Sequence, residues 1–150
     1  MNTTRQLEFG WFLPTAGDTT AYANRDAGVP PSLEMFDRVV AAAEAAGFEY
    51  LLVPVASTCW DAYITSAMML ARTRKIRMLV AARPGYVKPV LLARMISAMD
   101  QLSGGRVAVN LIAGQSDTEA IQDGIELPKE SRYELMDEEV SIMKALWTAP

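Results

Sequence analysis

Leu102-Ser103-Gly104-Gly105-Arg106-Val107-Ala108-Val109-Asn110-Leu111-Ile112-Ala113-Gly114 decides the fold of this chain. A helix stops on a glycine turn, and an apolar strand follows it. One amide, Asn110, interrupts that strand near its carboxyl end. A strand this apolar is buried on both faces, as in a parallel sheet covered by helices. In such proteins ligands bind beyond the carboxyl ends of the strands. An amide inside an apolar strand is costly unless something partners it, so Asn110 marks a candidate site. Alternation turns the bulkier Val107, Val109 and Leu111 toward the helices. Ala108, Asn110 and Ile112 then face the opposite side.

The same strand-then-helix period recurs upstream. Leu7–Pro14 is an apolar, aromatic-rich strand closed by proline, and a polar loop runs from Thr15 to Pro31. Ser32 is a helix N-cap. Phe36, Val39, Val40, Ala43 and Ala46 follow at helical spacing, and Gly47 ends that helix. Tyr50–Val55 and Ile76–Ala82 are two further strands, and Val107–Ala113 is the fourth. Asp61–Thr73, Pro89–Leu102 and Ser131–Trp147 are the intervening and final helices. The loops after strands are long and those after helices are short, an asymmetry expected when function sits at the carboxyl face of a barrel.

The fold class expected is therefore α/β of the TIM (β/α)8-barrel type, with this chain supplying the first four βα units as a half barrel. Such barrels take roughly 250 residues. Residues 1–150 are expected to form one domain, the N-terminal half of a barrel, incomplete without a C-terminal half or a second copy. A small flavodoxin-like fold is the structural rival.

Composition narrows the chemistry. The 150 residues are 51% hydrophobic and 21% charged, enough for a real core and too apolar for disorder. A net charge of -4 argues against nucleic acid and anionic membranes as partners. There is no histidine, which excludes Ser-His-Asp and Cys-His catalysis from this chain and removes the commonest zinc ligand. A single cysteine allows no internal disulfide. Met1-Asn2-Thr3-Thr4-Arg5 lacks the apolar core of a signal peptide, so the expected setting is a reducing cytoplasm.

Two further positions stand out on their chemistry. Ser131-Arg132-Tyr133-Glu134 fits a capping box, with Ser131 as N-cap and Glu134 three residues on. A guanidinium and a phenol in that first turn suit an anion. Cys59 lies at a helix start, where a thiol pKa is lowered, although a lone cysteine usually packs as a small hydrophobe.

Five segments resemble one family when taken together and in order. They are Phe12-Leu13-Pro14-Thr15-Ala16-Gly17-Asp18, Ser57-Thr58-Cys59-Trp60-Asp61-Ala62, Leu79-Val80-Ala81-Ala82-Arg83-Pro84, Leu102–Gly114, and Arg132-Tyr133-Glu134. The chain resembles the bacterial luciferase-like flavin-dependent monooxygenases over essentially its whole length, closest to the alkanesulfonate monooxygenase branch. The resemblance implies a barrel and a two-component monooxygenase that oxygenates a small organosulfur compound such as an alkanesulfonate. Reduced FMN would be the cofactor, supplied by a separate NAD(P)H-dependent flavin reductase, and O2 the co-substrate. It also implies a homo-oligomer. By the same resemblance Val55, Ala56, Asn110, Glu119, Arg132 and Tyr133 bind the flavin, and Cys59 serves catalysis by hydrogen bonding near it. Trp11 and Phe12 would wall the flavin or substrate pocket. Ala16 stands where the alkanesulfonate enzymes carry histidine, a departure that bears on substrate. Much of the resembled site comes from the second half of the barrel. The alternatives are a coenzyme F420-dependent oxidoreductase on the same fold and a non-catalytic truncated half-barrel.

Overall fold

From the amino end, β1 (Gly10–Phe12) leads into an antiparallel ribbon of β2 (Asp18–Thr19) and β3 (Gly28–Val29). Then come α1 (Leu33–Ala46), β4 (Tyr50–Val53), α2 (Ala62–Arg72), β5 (Arg77–Ala82), α3 (Pro89–Ser103) and β6 (Val107–Leu111). A short α4 (Asp117–Gln122) and a long α5 (Lys129–Thr148) complete the chain order. These elements come from a computed structural model, which describes residues 7–19, 27–114 and 116–148.

β1, β4, β5 and β6 form one parallel sheet in that order. Sequence-adjacent βα units are thus neighbours in space, the arrangement of half a (β/α)8 barrel. Within the described residues each of β1 and β6 pairs on one side only. Residues in register across a parallel sheet share a face. One face therefore carries Phe12, Leu52, Leu79, Ala81, Ala108 and Asn110. The other carries Leu51, Val53, Met78 and Val80, all fully buried against the helices. Val107, Val109 and Leu111 pack on that helical side too, as the alternation predicts.

The helices stop where the sequence says they should. The Ser32 hydroxyl accepts the Met35 N–H at 3.1 Å, and Asp61 does the same for Ile64 at 2.7 Å. Gly47 and Gly104 close α1 and α3 with φ of 81° and 75°, left-handed values that a side chain would strain. Below the sheet, Arg106 enters β6 and gathers loose ends. Its guanidinium donates to Leu70 O, Thr73 O, Thr73 Oγ1, Ile76 O and Ser103 O at 2.8–3.3 Å. The Leu102–Arg106 turn is thus a fastening at the amino face, consistent with a stabilising part.

Several boundaries differ from the sequence reading. The first strand is only Gly10–Phe12, and the second ends at Val53, because Pro54 has no N–H to continue the ladder. The fourth ends at Leu111, though Ile112 N still reaches Ala82 O at 2.9 Å. The loop read from Thr15 to Pro31 holds the β2–β3 ribbon, and Glu119 lies on the short helix α4, which the sequence reading does not contain. The capping box at Ser131 does not form. The Pro128 carbonyl already accepts the Arg132 N–H at 3.0 Å, so the last helix begins at Lys129 and Ser131 lies inside its first turn.

Candidate functional site

A cleft of about 420 Å³ opens at the carboxyl ends of β4 and β5. Val55, Ala56 and Ser57 form one side, followed by Cys59–Tyr63 at the start of α2. Arg83, Tyr86 and Val87, after β5, form the other, with Asp123 beside them. The short strand β4 places Val55 and Ala56 at this rim. Asp61 caps α2 and so fixes the turn that carries Cys59. Trp60 donates its N–H to Thr15 O at 3.0 Å and packs edge-on to Phe36, with ring centroids 5.5 Å apart.

Arg83 is the organising charge. It is 7% exposed. Its Nη2 donates to Val55 O at 3.0 Å and to Glu119 Oε2 at 2.8 Å. Its Nη1 donates to Tyr86 Oη at 3.1 Å, and the Tyr86 hydroxyl donates in turn to Asp123 at 2.7 Å. The other Glu119 oxygen accepts the Ser57 N–H at 2.8 Å. That backbone bond, reinforced by Arg83, holds the Glu119 carboxyl below its ordinary pKa. Beneath the cleft, buried Glu139 accepts the Gly85 N–H at 3.1 and 3.2 Å. Burial outweighs that bond and raises the Glu139 pKa. Burial, with the Asp61 and Glu139 charges, pushes the Tyr63 phenol up to about 12, so it stays protonated at neutral pH.

The sequence-derived residues divide into two groups. Val55, Ala56 and Cys59 share the cleft, and Glu119 is joined to it through Ser57 and Arg83. Asn110 lies opposite Ala81 on the sheet face turned away from the helices, half-buried. Its amide has no hydrogen bond among the described residues. Arg132 is 1% exposed and turned inward. It donates to Ala113 O at 2.8 Å and Leu127 O at 2.7 Å, and its Nη2 lies 2.8 Å from Asp117, an ion pair outside hydrogen-bond angles. The Ala113 contact puts Arg132 at the same pole as Asn110. Its Nε and Nη1 are used by the loop after β6, and its Nη2 has no hydrogen bond among the described residues. Tyr133, next to it, is 51% exposed. Trp11 and Phe12 do not wall one pocket together. The pleat sends them to opposite faces, and Trp11 packs on Phe48 at 6.0 Å.

Arg83, Tyr86, Asp123 and Glu139 were missed as site residues. The signal for Arg83 was present: an arginine directly ending an apolar strand at its carboxyl tip. Asp123, in the turn after α4, and Glu139, on α5, belong to stretches whose charges resemble a solvated face. Among the described residues no cluster of three acidic or cysteine side chains could hold a metal, and no helix is long and apolar enough to cross a membrane.

A model of the luciferase-like monooxygenase family matches residues 7–150. EDTA monooxygenase from Chelativorans sp. BNC1 superposes with a TM-score of 0.76 at 21% identity, covering 95% of this chain and 37% of that one. The oxygenating constituent of 3,6-diketocamphane monooxygenase, from the CAM plasmid of Pseudomonas putida and in complex with FMN, gives 0.68 at 19%. There the cover is 95% of this chain and 40% of that one. The coenzyme F420-dependent tetrahydromethanopterin reductase of Methanopyrus kandleri gives 0.61 at 20%, covering 83% and 31%. At these identities the likeness is one of fold. The chain spans less than half the length of these structures.

Proposed function

The chain belongs to the luciferase-like monooxygenase family, and from that premise we propose that it is the N-terminal half-barrel of an FMNH2-dependent monooxygenase. The observation that carries this reading is the cleft at the carboxyl ends of β4 and β5, where Val55, Ala56 and Cys59 lie together. Ligand sites in parallel α/β folds gather at that end. The single-sided pairing of β1 and β6 supports a barrel completed by further βα units or a second copy.

The residues present fit a flavin in part. Val55 and Ala56 are small, so a planar ring can approach their backbone. The Asn110 amide, without a hydrogen bond among the described residues, offers both a donor and an acceptor, which the pyrimidine edge of a flavin requires. Arg132 spends Nε and Nη1 on Ala113 and Leu127 and keeps Nη2 without a hydrogen bond among the described residues. It shapes the loop after β6, and its open Nη2 together with exposed Tyr133 are the flavin contacts of this helix start in our reading. The phosphate grip then falls to residues outside this half. When bound, reduced FMN supplies the electrons that activate O2. This chain's part is to seat the ring, keep water out of the cleft and present the Cys59 thiol as a weak hydrogen-bond donor at its rim.

The substrate in this reading is a small organosulfur compound such as an alkanesulfonate, with Ala16 altering the selectivity of the resembled branch. A separate NAD(P)H-dependent reductase supplies the reduced flavin, and the enzyme is a homo-oligomer. An assay of this chain, alone and joined to the remaining barrel units, tests it with a flavin reductase, O2 and alkanesulfonates. Sulfite release that requires both reductase and O2 is expected. Turnover with coenzyme F420 and none with FMN would replace the reading with the deazaflavin alternative.

A further inference from the structure

Ala56 is bracketed by two charges that the chain brings from far away. On one side Arg83 Nη2 holds the Val55 carbonyl at 3.0 Å. On the other Glu119 Oε1 holds the Ser57 N–H at 2.8 Å. The two charges pair with each other at 2.8 Å, closing a ring around the Ala56 backbone. Ala56 O is also occupied, accepting the Cys59 N–H at 3.0 Å. The Ala56 N–H carries no hydrogen bond among the described residues, and Ala56 lines the cleft. A backbone donor left open beside two pinned neighbours is arranged to meet an acceptor.

We propose that Arg83 is a positioning residue which, acting with Glu119, aims the Ala56 N–H into the cleft toward a carbonyl-type acceptor on the bound flavin ring. This rests on the flavin reading above. It also changes the part played by Glu119, which acts on the flavin through Ser57 rather than by touching it. The fork of the guanidinium is essential, because one nitrogen serves Val55 O and Glu119 while the other serves Tyr86. A lysine head cannot reproduce that planar geometry.

The test uses this chain with and without FMN, as wild type, Arg83→Gln, Arg83→Lys and Glu119→Gln. Without flavin, hydrogen exchange at the Ser57 amide is expected to quicken about tenfold in Arg83→Gln, as its acceptor loosens. With FMN, the visible band of the bound flavin is expected to shift in Arg83→Gln, with Arg83→Lys restoring it only partly. A merely structural Arg83 would lower affinity and leave that band in place. Unchanged Ser57 exchange together with an unchanged band overturns the proposal. If Arg83→Gln fails to fold, the isosteric Glu119→Gln carries both readouts, and the same unchanged pair of results overturns it. A wild-type chain that binds no FMN either alone or joined to the remaining barrel units overturns the flavin reading instead, and Ser57 exchange still decides whether the clasp exists.

Discussion

Arg83 and Glu119 meet at 2.8 Å although 36 residues separate them in the chain. One directly follows β5 and the other sits in the first turn of α4, so their pairing ties the connections after β5 and β6 together. Through Val55 and Ser57 the same pair reaches the loop after β4. Three of the four loops at the carboxyl face are thereby one electrostatic unit. With Arg83 7% and Glu119 18% exposed, the pair is poorly screened by water. Arg83→Ala leaves a carboxylate and a carbonyl without their donor. It should destabilise the chain by about 3 kcal/mol, read as a lower midpoint in urea denaturation.

The amino face offers a contrasting prediction. Arg106→Ala strips donors from Leu70, Thr73, Ile76 and Ser103 at once. A loss of about 3 kcal/mol in denaturant unfolding is expected. Flavin affinity measured under folded conditions should stay at the wild-type value, because Arg106 lies at the opposite end of the sheet from the cleft.

Two carboxylates give stability opposite pH slopes. Glu119 has its folded pKa lowered from 4.5. Its contribution is full above that value and is lost as pH falls through the lowered one. Glu139 has its folded pKa raised from 4.5. Its favourable contribution is present at low pH and is lost as pH rises through the raised value. Urea midpoints against pH should therefore show Glu119→Gln flattening the acid limb and Glu139→Gln flattening the limb above it.

These contrasts show which parts of the molecule the sequence discloses. Period and caps were legible: Ser32, Gly47 and Gly104 bound their helices as local chemistry requires, while Asp61, read as the first residue of its helix, is its N-cap. The alternation around Asn110 was legible too, because the two faces of a strand differ in bulk. The end of the chain was not. α5 buries Arg132 and Glu139 alongside Met143, so its inward stripe is partly ionic and hydrophobic periodicity is blind to it. The Arg83 cluster was hidden for another reason. Its members come from segments far apart in the chain whose meeting depends on sheet order, and no local pattern encodes a contact between residues 83 and 119.

Gly10 tests the barrel side of the sheet. A Cβ built on Gly10 would fall within the Tyr50 ring on the neighbouring strand. Gly10→Ala should cost about 1–3 kcal/mol as the ring is displaced. The double variant Gly10→Ala, Tyr50→Ala should show a non-additive recovery in a double-mutant cycle. Additive losses would mean that the two positions do not touch.

Cys59 lines the cleft beside Ala56. If its thiol donates a weak hydrogen bond during turnover, Cys59→Ala should slow turnover by about tenfold and leave FMN affinity nearly unchanged. Steady-state kinetics beside a flavin titration separates the two effects. Unchanged turnover would return Cys59 to simple packing.

The most direct measurement is a fluorescence titration of FMN against this chain, alone and joined to the remaining barrel units, in wild type and Asn110→Ala. Saturable quenching is expected in the joined form at least, weakened about tenfold by loss of the amide. Absence of saturable quenching in both forms would contradict the assignment of this carboxyl-end cleft to a flavin.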